Sequence, residues 1–195
     1  MNRAVLLLVC IAPLAACNKA PDIDVRNASV AEVAQKAREA GANAYINPGQ
    51  WRTKVTVEEM SFPGMTAAMQ AQMQSIMGRQ QDISVEHCIS AEEARRPSAQ
   101  FFTGKESESC RYDRFTMSGG KIDAVMRCDA KASGSMTLTV SGTYTPDSST
   151  TRSDMNLSGG AEGGMRIRSV VENRRIGACT GKPDDVKVTM HGDQQ

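Results

Sequence analysis

Residues 110–128 read CRYDRFTMSGGKIDAVMRC, two runs of strand-like character on either side of Ser118-Gly119-Gly120. Three residues with glycine at the left-handed position are a common hairpin loop, so the segment is read as two antiparallel strands. The register that sets Met117 opposite Lys121 also sets Cys110 opposite Cys128, at a separation a disulfide can span. The same register pairs Tyr112 with Met126 but leaves Arg111 facing Arg127. Slipped by one residue, Phe115 faces Ala124 and Met117 faces Ile122, and the sulfur match is lost. A bulge within the hairpin reconciles the two registers.

The pattern continues outward from this hairpin. Met136, Leu138, Val140 and Tyr144 alternate with Thr137, Thr139, Ser141 and Thr143. Met155 and Leu157 extend it, as do Met165, Ile167 and Val171 against Arg166, Arg168 and Glu172. Upstream, Trp51, Val55 and Val57 alternate with Arg52, Lys54, Thr56 and Glu58, and Ile83 and Val85 lead a further strand into Cys88. Clean one-sided alternation with Gly-rich connections, at 133–134 and 159–164, denotes antiparallel strands with one buried and one wet face. Between these strands, Met65, Met69, Met73 and Met77 recur every fourth residue, predicting a helix over 65–78. Ser29 with Glu32 and Ser90 with Glu93 are capping boxes, the first opening a helix over 30–40 that Gly41 stops.

The fold class is therefore α+β, mainly β. A curved antiparallel sheet of about seven strands carries a Met-rich covering helix and a short N-terminal helix, with closure into a partial barrel left open by periodicity. The expected organisation is a leader at 1–16, a tether with a short helix at 17–47, a β-rich domain at 48–180 and a flexible tail at 181–195. Within that tail, Val186, Val188 and Met190 alternate as an edge strand would.

Residues 1–17, MNRAVLLLVCIAPLAAC, carry Arg3 ahead of an apolar run from Ala4 to Leu14. That run suits a signal peptide and is too short to span a bilayer. It ends in Leu14-Ala15-Ala16-Cys17, which matches the bacterial lipobox, so Cys17 is expected to be lipidated and to become the new N-terminus. Resemblance to bacterial lipoproteins implies three acyl chains there, and two suffice for stable anchoring. Loss of Arg3 from the 23 basic residues balances them against the 22 acidic ones. Lipid, then, and not charge is expected to hold the protein at the membrane. Asn18, where an inner-membrane retention signal has aspartate, points to the outer membrane facing the periplasm.

Of the six cysteines, Cys10 leaves with the leader and Cys17 takes lipid. The remaining four, in an exported chain, read as a disulfide framework. With Cys110 paired to Cys128, Cys88 to Cys179 follows by elimination.

Several pieces in order resemble a known family: Pro48-Gly-Gln-Trp51, Phe62-Pro-Gly-Met65 before the Met-rich helix, and Cys88 with Ser90-Ala-Glu-Glu93. The run Cys110-Arg-Tyr-Asp-Arg-Phe, Ser118-Gly-Gly-Lys-Ile-Asp, Cys128, and then Gly177-Ala-Cys179-Thr, completes the set. Over roughly residues 28–180 the chain resembles the exported bacterial proteins grouped as domain of unknown function 3617, many of them small lipoproteins. The resemblance implies an exported single domain with a cysteine framework, and no activity.

Composition narrows the chemistry. The near-zero net charge and eight aromatics argue against a nucleic-acid partner. Only His87 and His191 could serve a Ser-His-Asp arrangement; His87 points away from its neighbour Cys88 on a strand, and His191 lies in the tail. No catalytic residue, metal site or cofactor is assigned. The glycine loop at 159–164 lacks the Gly-Lys-Ser/Thr of a phosphate loop. Arg166, Arg168, Arg174 and Arg175 read as a solvated face balanced by neighbours such as Glu172. The expected role is a non-enzymatic envelope lipoprotein that binds or supports a protein or lipid partner. The alternatives are a carrier with an apolar cavity for a lipid or small hydrophobic molecule, and a soft-metal helix holding Cu(I) on Met65, Met69, Met73 and Met77.

Overall fold

The hairpin at 110–128 forms, and it contains the bulge. The computed structural model describes residues 20–42, 45–77, 82–95, 109–129, 134–159, 164–180 and 186–191. The leader and Cys17 lie outside the described residues. Cys110–Ser118 (β4) pairs with Lys121–Asp129 (β5), keeping the sulfur-matching register from Cys110–Cys128 to Tyr112–Met126. The register then shifts by one at Asp113, and beyond it Phe115 faces Ala124 and Met117 faces Ile122. Both expected registers therefore coexist, one on each side of one extra residue.

The loop is tighter than expected. Ser118 pairs with Lys121, so only Gly119 and Gly120 turn the chain, with φ of 56° and 77°. Two successive left-handed residues favour glycine because a side chain would strain both positions. The bulge also relieves the like-charge pair. Arg127 bonds Asp113 at 2.7 Å, while Arg111 donates to the side-chain and main-chain oxygens of Asn27.

Ser135–Thr145 (β6), Ser148–Ser158 (β7) and Met165–Gly177 (β8) continue the meander from β5. Gly49–Ser61 (β2) joins the far side of β8, followed by Asp82–Ile89 (β3) and Lys187–His191 (β9). At the other edge, Ile23–Ser29 (β1) pairs with β4. The order is β1-β4-β5-β6-β7-β8-β2-β3-β9, with every neighbouring pair antiparallel. Among the described residues the sheet is thus open and has nine strands, two more than the seven read from periodicity. The additions are its two edges. β9 realises the alternation seen in the tail, and β1 uses residues expected to be tether.

Pairing aligns one face into transverse rows. One runs Val25, Phe115, Ala124, Val140, Ser153, Ser169, Val57; the next runs Ala28, Tyr112, Met126, Leu138, Met155, Ile167, Met60. This face curves inward and carries the core. Val30–Glu39 (α1) seats on it through Val30, Val33, Ala34 and Ala37, all buried, at the spacing of one helical stripe. Its N-terminus has the expected capping box: the backbone N–H of Ser29 donates to Glu32 Oε2 at 2.6 Å and the N–H of Glu32 to Ser29 Oγ at 3.2 Å. The Ser29 N–H bond holds the Glu32 carboxyl below its usual range. Ala91–Arg95 (α3) repeats the box with Ser90 and Glu93.

The helix that covers the sheet is α1, not the methionine row. Ala67–Met77 (α2) is capped by Thr66 and by Gln70, which bonds the carbonyls of Phe62 and Met65. Met69 is 52 % exposed, Met65 and Met73 are half-buried, and no described residue of α2 belongs to the core cluster. The four-residue spacing is a helical period, but it does not by itself mark a buried face.

Both disulfides form. Cys110–Cys128 staples β4 to β5 within the core, and Cys88–Cys179 ties β3 to the chain after β8 across a separation of 91 residues. In the entropy model of cross-linking, loops of these lengths contribute about 3 and about 4.5 kcal/mol respectively.

The curvature has a local requirement at Gly142 in β6. A Cβ there would stand 2.1 Å from the Thr150 carbonyl oxygen and 2.8 Å from Thr151 Cα, both backbone atoms of β7. Gly142→Ala is therefore expected to lower the unfolding free energy by about 1–3 kcal/mol, read from the urea midpoint. An unchanged midpoint would mean that β6 and β7 do not approach this closely.

Candidate functional site

The inward face is not uniform. Over β1, β4, β5 and β6 it carries Phe115, Met117, Met126, Leu138 and Val140, in one cluster with the buried stripe of α1. Over β7, β8 and β2 it stays apolar at one end, along Met155, Ile167 and Met60, and turns polar towards the other, where Ser149, Asn173 and Thr53 form a row with Thr151 and Ser153 beside it. The ten residues of α1 are about 15 Å long. Nine strands span roughly 38 Å of sheet width. One short helix cannot cover that face, and the uncovered part forms a cavity of about 550 Å³.

The wall is mostly apolar. Ile122, Ala124, Met126, Leu138 and Val140 come from β5 and β6, Met117 from β4, and Val171 from β8. The aromatic residues converge here: the only tryptophan, all three tyrosines and Phe115 line the space. Their polar atoms are engaged outside the cavity centre where partners exist. Trp51 Nε1 donates to the Asn47 carbonyl at 3.1 Å, and Tyr144 Oη to the Pro21 carbonyl at 3.2 Å. Tyr45 meets Tyr144 edge-on at 5.5 Å, and Tyr112 meets Phe115 likewise at 5.4 Å. Such contacts fix the rings and make the wall preformed. Burial pushes the Tyr112 hydroxyl up to about 12 and also raises that of Tyr144, so both remain protonated phenols.

A strip of polar side chains crosses the opposite wall. The Thr53 hydroxyl donates to Asn173 Oδ1 at 2.7 Å, and Asn173 Nδ2 donates to Ser149 Oγ at 2.9 Å. These three sit directly opposite one another on β2, β8 and β7. His87, on β3 opposite Trp51, also lines the cavity. Among the described residues no Asp, Glu, Lys or Arg lines it. The arrangement can bind an apolar body and hydrogen-bond a polar end, and it resembles small-molecule sites in size and lining.

The residues singled out in the sequence fall around this cavity, seldom in it. Cys110 and Cys128 are bonded beneath its β4–β5 end, and Cys88 and Cys179 are bonded at β3. His87 and Cys88 do diverge, the histidine to the cavity and the cysteine to its disulfide. His191 ends β9. Arg166 and Arg168 lie on the outer face with carboxylate partners, and Arg175, near the end of β8, donates to the Pro48 carbonyl at 2.8 Å. Arg166 and Arg168 bond Asp154, Arg168 also reaches Glu59, and Arg175 approaches Asp147. No group of three or more His, Cys, Asp or Glu that could hold a metal occurs among the described residues. The aromatic convergence has no signature in the sequence: local pattern places Trp51 and Tyr144 each on a strand, and no local signal shows that β2 and β6 curve around one space.

The family model described as "Protein of unknown function (DUF3617)" matches residues 46–179. No curated protein and no solved structure matches the chain.

Because Trp51 is the only tryptophan and lines the cavity, it reports occupancy directly. A brominated alkane entering the cavity is expected to quench its emission saturably. Quenching that rises linearly, as from random collision, would show that no alkane is held beside Trp51.

Proposed function

The chain belongs to the DUF3617 family of proteins of unknown function, and from that premise we propose that it is a membrane-tethered protein that binds a small hydrophobic molecule in the cavity without transforming it. The observation that carries this is the preformed space of about 550 Å³, walled by aromatic and aliphatic side chains and open to no charged group among the described residues. At the volume water occupies in the liquid, about 30 Å³ each, it takes on the order of 18 non-hydrogen atoms. About ten buried methylenes at about 0.8 kcal/mol each would supply about 8 kcal/mol, which corresponds to micromolar affinity before ordering costs.

The tether supports an envelope role. Pro21 is fully buried, and its carbonyl accepts the hydrogen bond from Tyr144 in the cavity wall. Only four residue steps separate Cys17 from Pro21, about 14 Å at full extension, where an unstructured tether to residue 28 would reach more than twice as far. An acylated Cys17 would therefore hold the domain close against the lipid surface. A hydrophobic molecule could pass between bilayer and cavity with little exposure to water. Two disulfides fit an oxidising compartment such as the periplasm.

The test fills the cavity from within. Val140 is half-buried in the wall, and Val140→Trp is expected to abolish uptake of the fluorescent apolar probe N-phenylnaphthylamine while the far-ultraviolet spectrum stays that of the parent. Full probe binding by the folded variant would remove the cavity as the site. The tether is checked separately by labelled palmitate, expected in the parent and absent from Cys17→Ala.

A further inference from the structure

Resting on the cavity as a binding site, we infer that its ligand is a single-chain amphiphile whose head is uncharged and hydrogen-bonding, such as a long-chain alcohol, amide or ester. The two walls differ in kind: Phe115, Met126, Leu138 and Val140 offer only hydrocarbon and ring surface, whereas Thr53, Asn173 and Ser149 form a hydrogen-bonded row. That row is not closed on itself. Asn173 spends one amide hydrogen on Ser149 and accepts from Thr53. Its second amide hydrogen and the Ser149 hydroxyl hydrogen have no partner among the described residues. Two donors facing a space of this kind are matched by the oxygen of a hydroxyl, ester or amide.

Charge argues the same way. A carboxylate or phosphate head would leave water for a wall whose one basic side chain is the His87 imidazole on β3, with no Lys or Arg to meet it, and an ammonium head would find no Asp or Glu. Burying an unpaired charge costs far more than burying a hydrogen-bonded neutral group. A plain alkane avoids that penalty but leaves the two donors unsatisfied, which also costs free energy. The neutral amphiphile alone satisfies both walls.

Competition separates the possibilities. The mature chain exported without acylation, which retains every described element, is loaded with N-phenylnaphthylamine and titrated with dodecanol, dodecanoate and dodecane. Dodecanol is expected to displace the probe at about tenfold lower concentration than either of the others. Asn173→Leu should erase that advantage, read as the ratio of dodecanol to dodecane displacement within the variant, and Ser149→Ala, a smaller change, should reduce the same ratio. Equal competition by all three, or dodecanoate as the best competitor, would overturn the inference about the head and leave the cavity reading standing. Failure of the probe to bind the parent chain would overturn both.

Discussion

Everything distinctive in this molecule follows from the seating of one short helix on a wide, curved sheet. The buried stripe of α1 packs on β1 and β4, in one cluster with residues of β5 and β6. Beyond it no described element supplies a second stripe, and at one end of the uncovered face the sheet changes its chemistry. Ser149, Asn173 and Thr53 form a polar row across β7, β8 and β2, while the row through Met155, Ile167 and Met60 stays apolar. Hydroxyls and amides can face a solvent-accessible space at little cost, whereas a row of leucines there would demand a cover. The cavity lies between that polar row and the apolar side chains of β5 and β6.

The hairpin supplies the other constraint. One disulfide and one apolar pairing demand registers that differ by a residue, and the bulge at Asp113 satisfies both. A bulge also increases local twist, which helps turn the β4–β5 end of the sheet toward α1. Gly142 permits the next tightening, at the β6–β7 contact. Curvature here is thus built from specific residues, each removing an obstacle to close approach.

Much of this was legible in the chain. The hairpin, its cysteine match, both capping boxes and the inward residues of β2, β6 and β8 all follow from local pattern. What escaped did so for physical reasons. In β1, Asp24, Arg26 and Asn27 face outward and only Ile23, Val25 and Ala28 face in, so an edge strand with one wet face and a left-handed residue at Asn27 reads as a polar tether. In β7 only Met155 and Leu157 showed a pattern, because Ser149, Thr151 and Ser153 are inward-facing yet polar. A strand that lends hydroxyls to a cavity loses its binary signature, so the feature that marks the candidate site is also what hid it. The methionine row erred the other way: a perfect helical period on a helix whose Met69 stays exposed.

The scarcity of aromatic residues also takes on a different meaning. Read as counts, one tryptophan and three tyrosines argue against aromatic nucleic-acid platforms. In the fold, all four line one cavity with Phe115. Native mass spectrometry of the mature chain exported without acylation tests the central claim most directly. The chain is expected to leave the envelope, or incubation with dodecanol, with one small amphiphile bound per chain, and Val140→Trp is expected to carry none. A parent chain that stays at its bare mass under both conditions would contradict that claim.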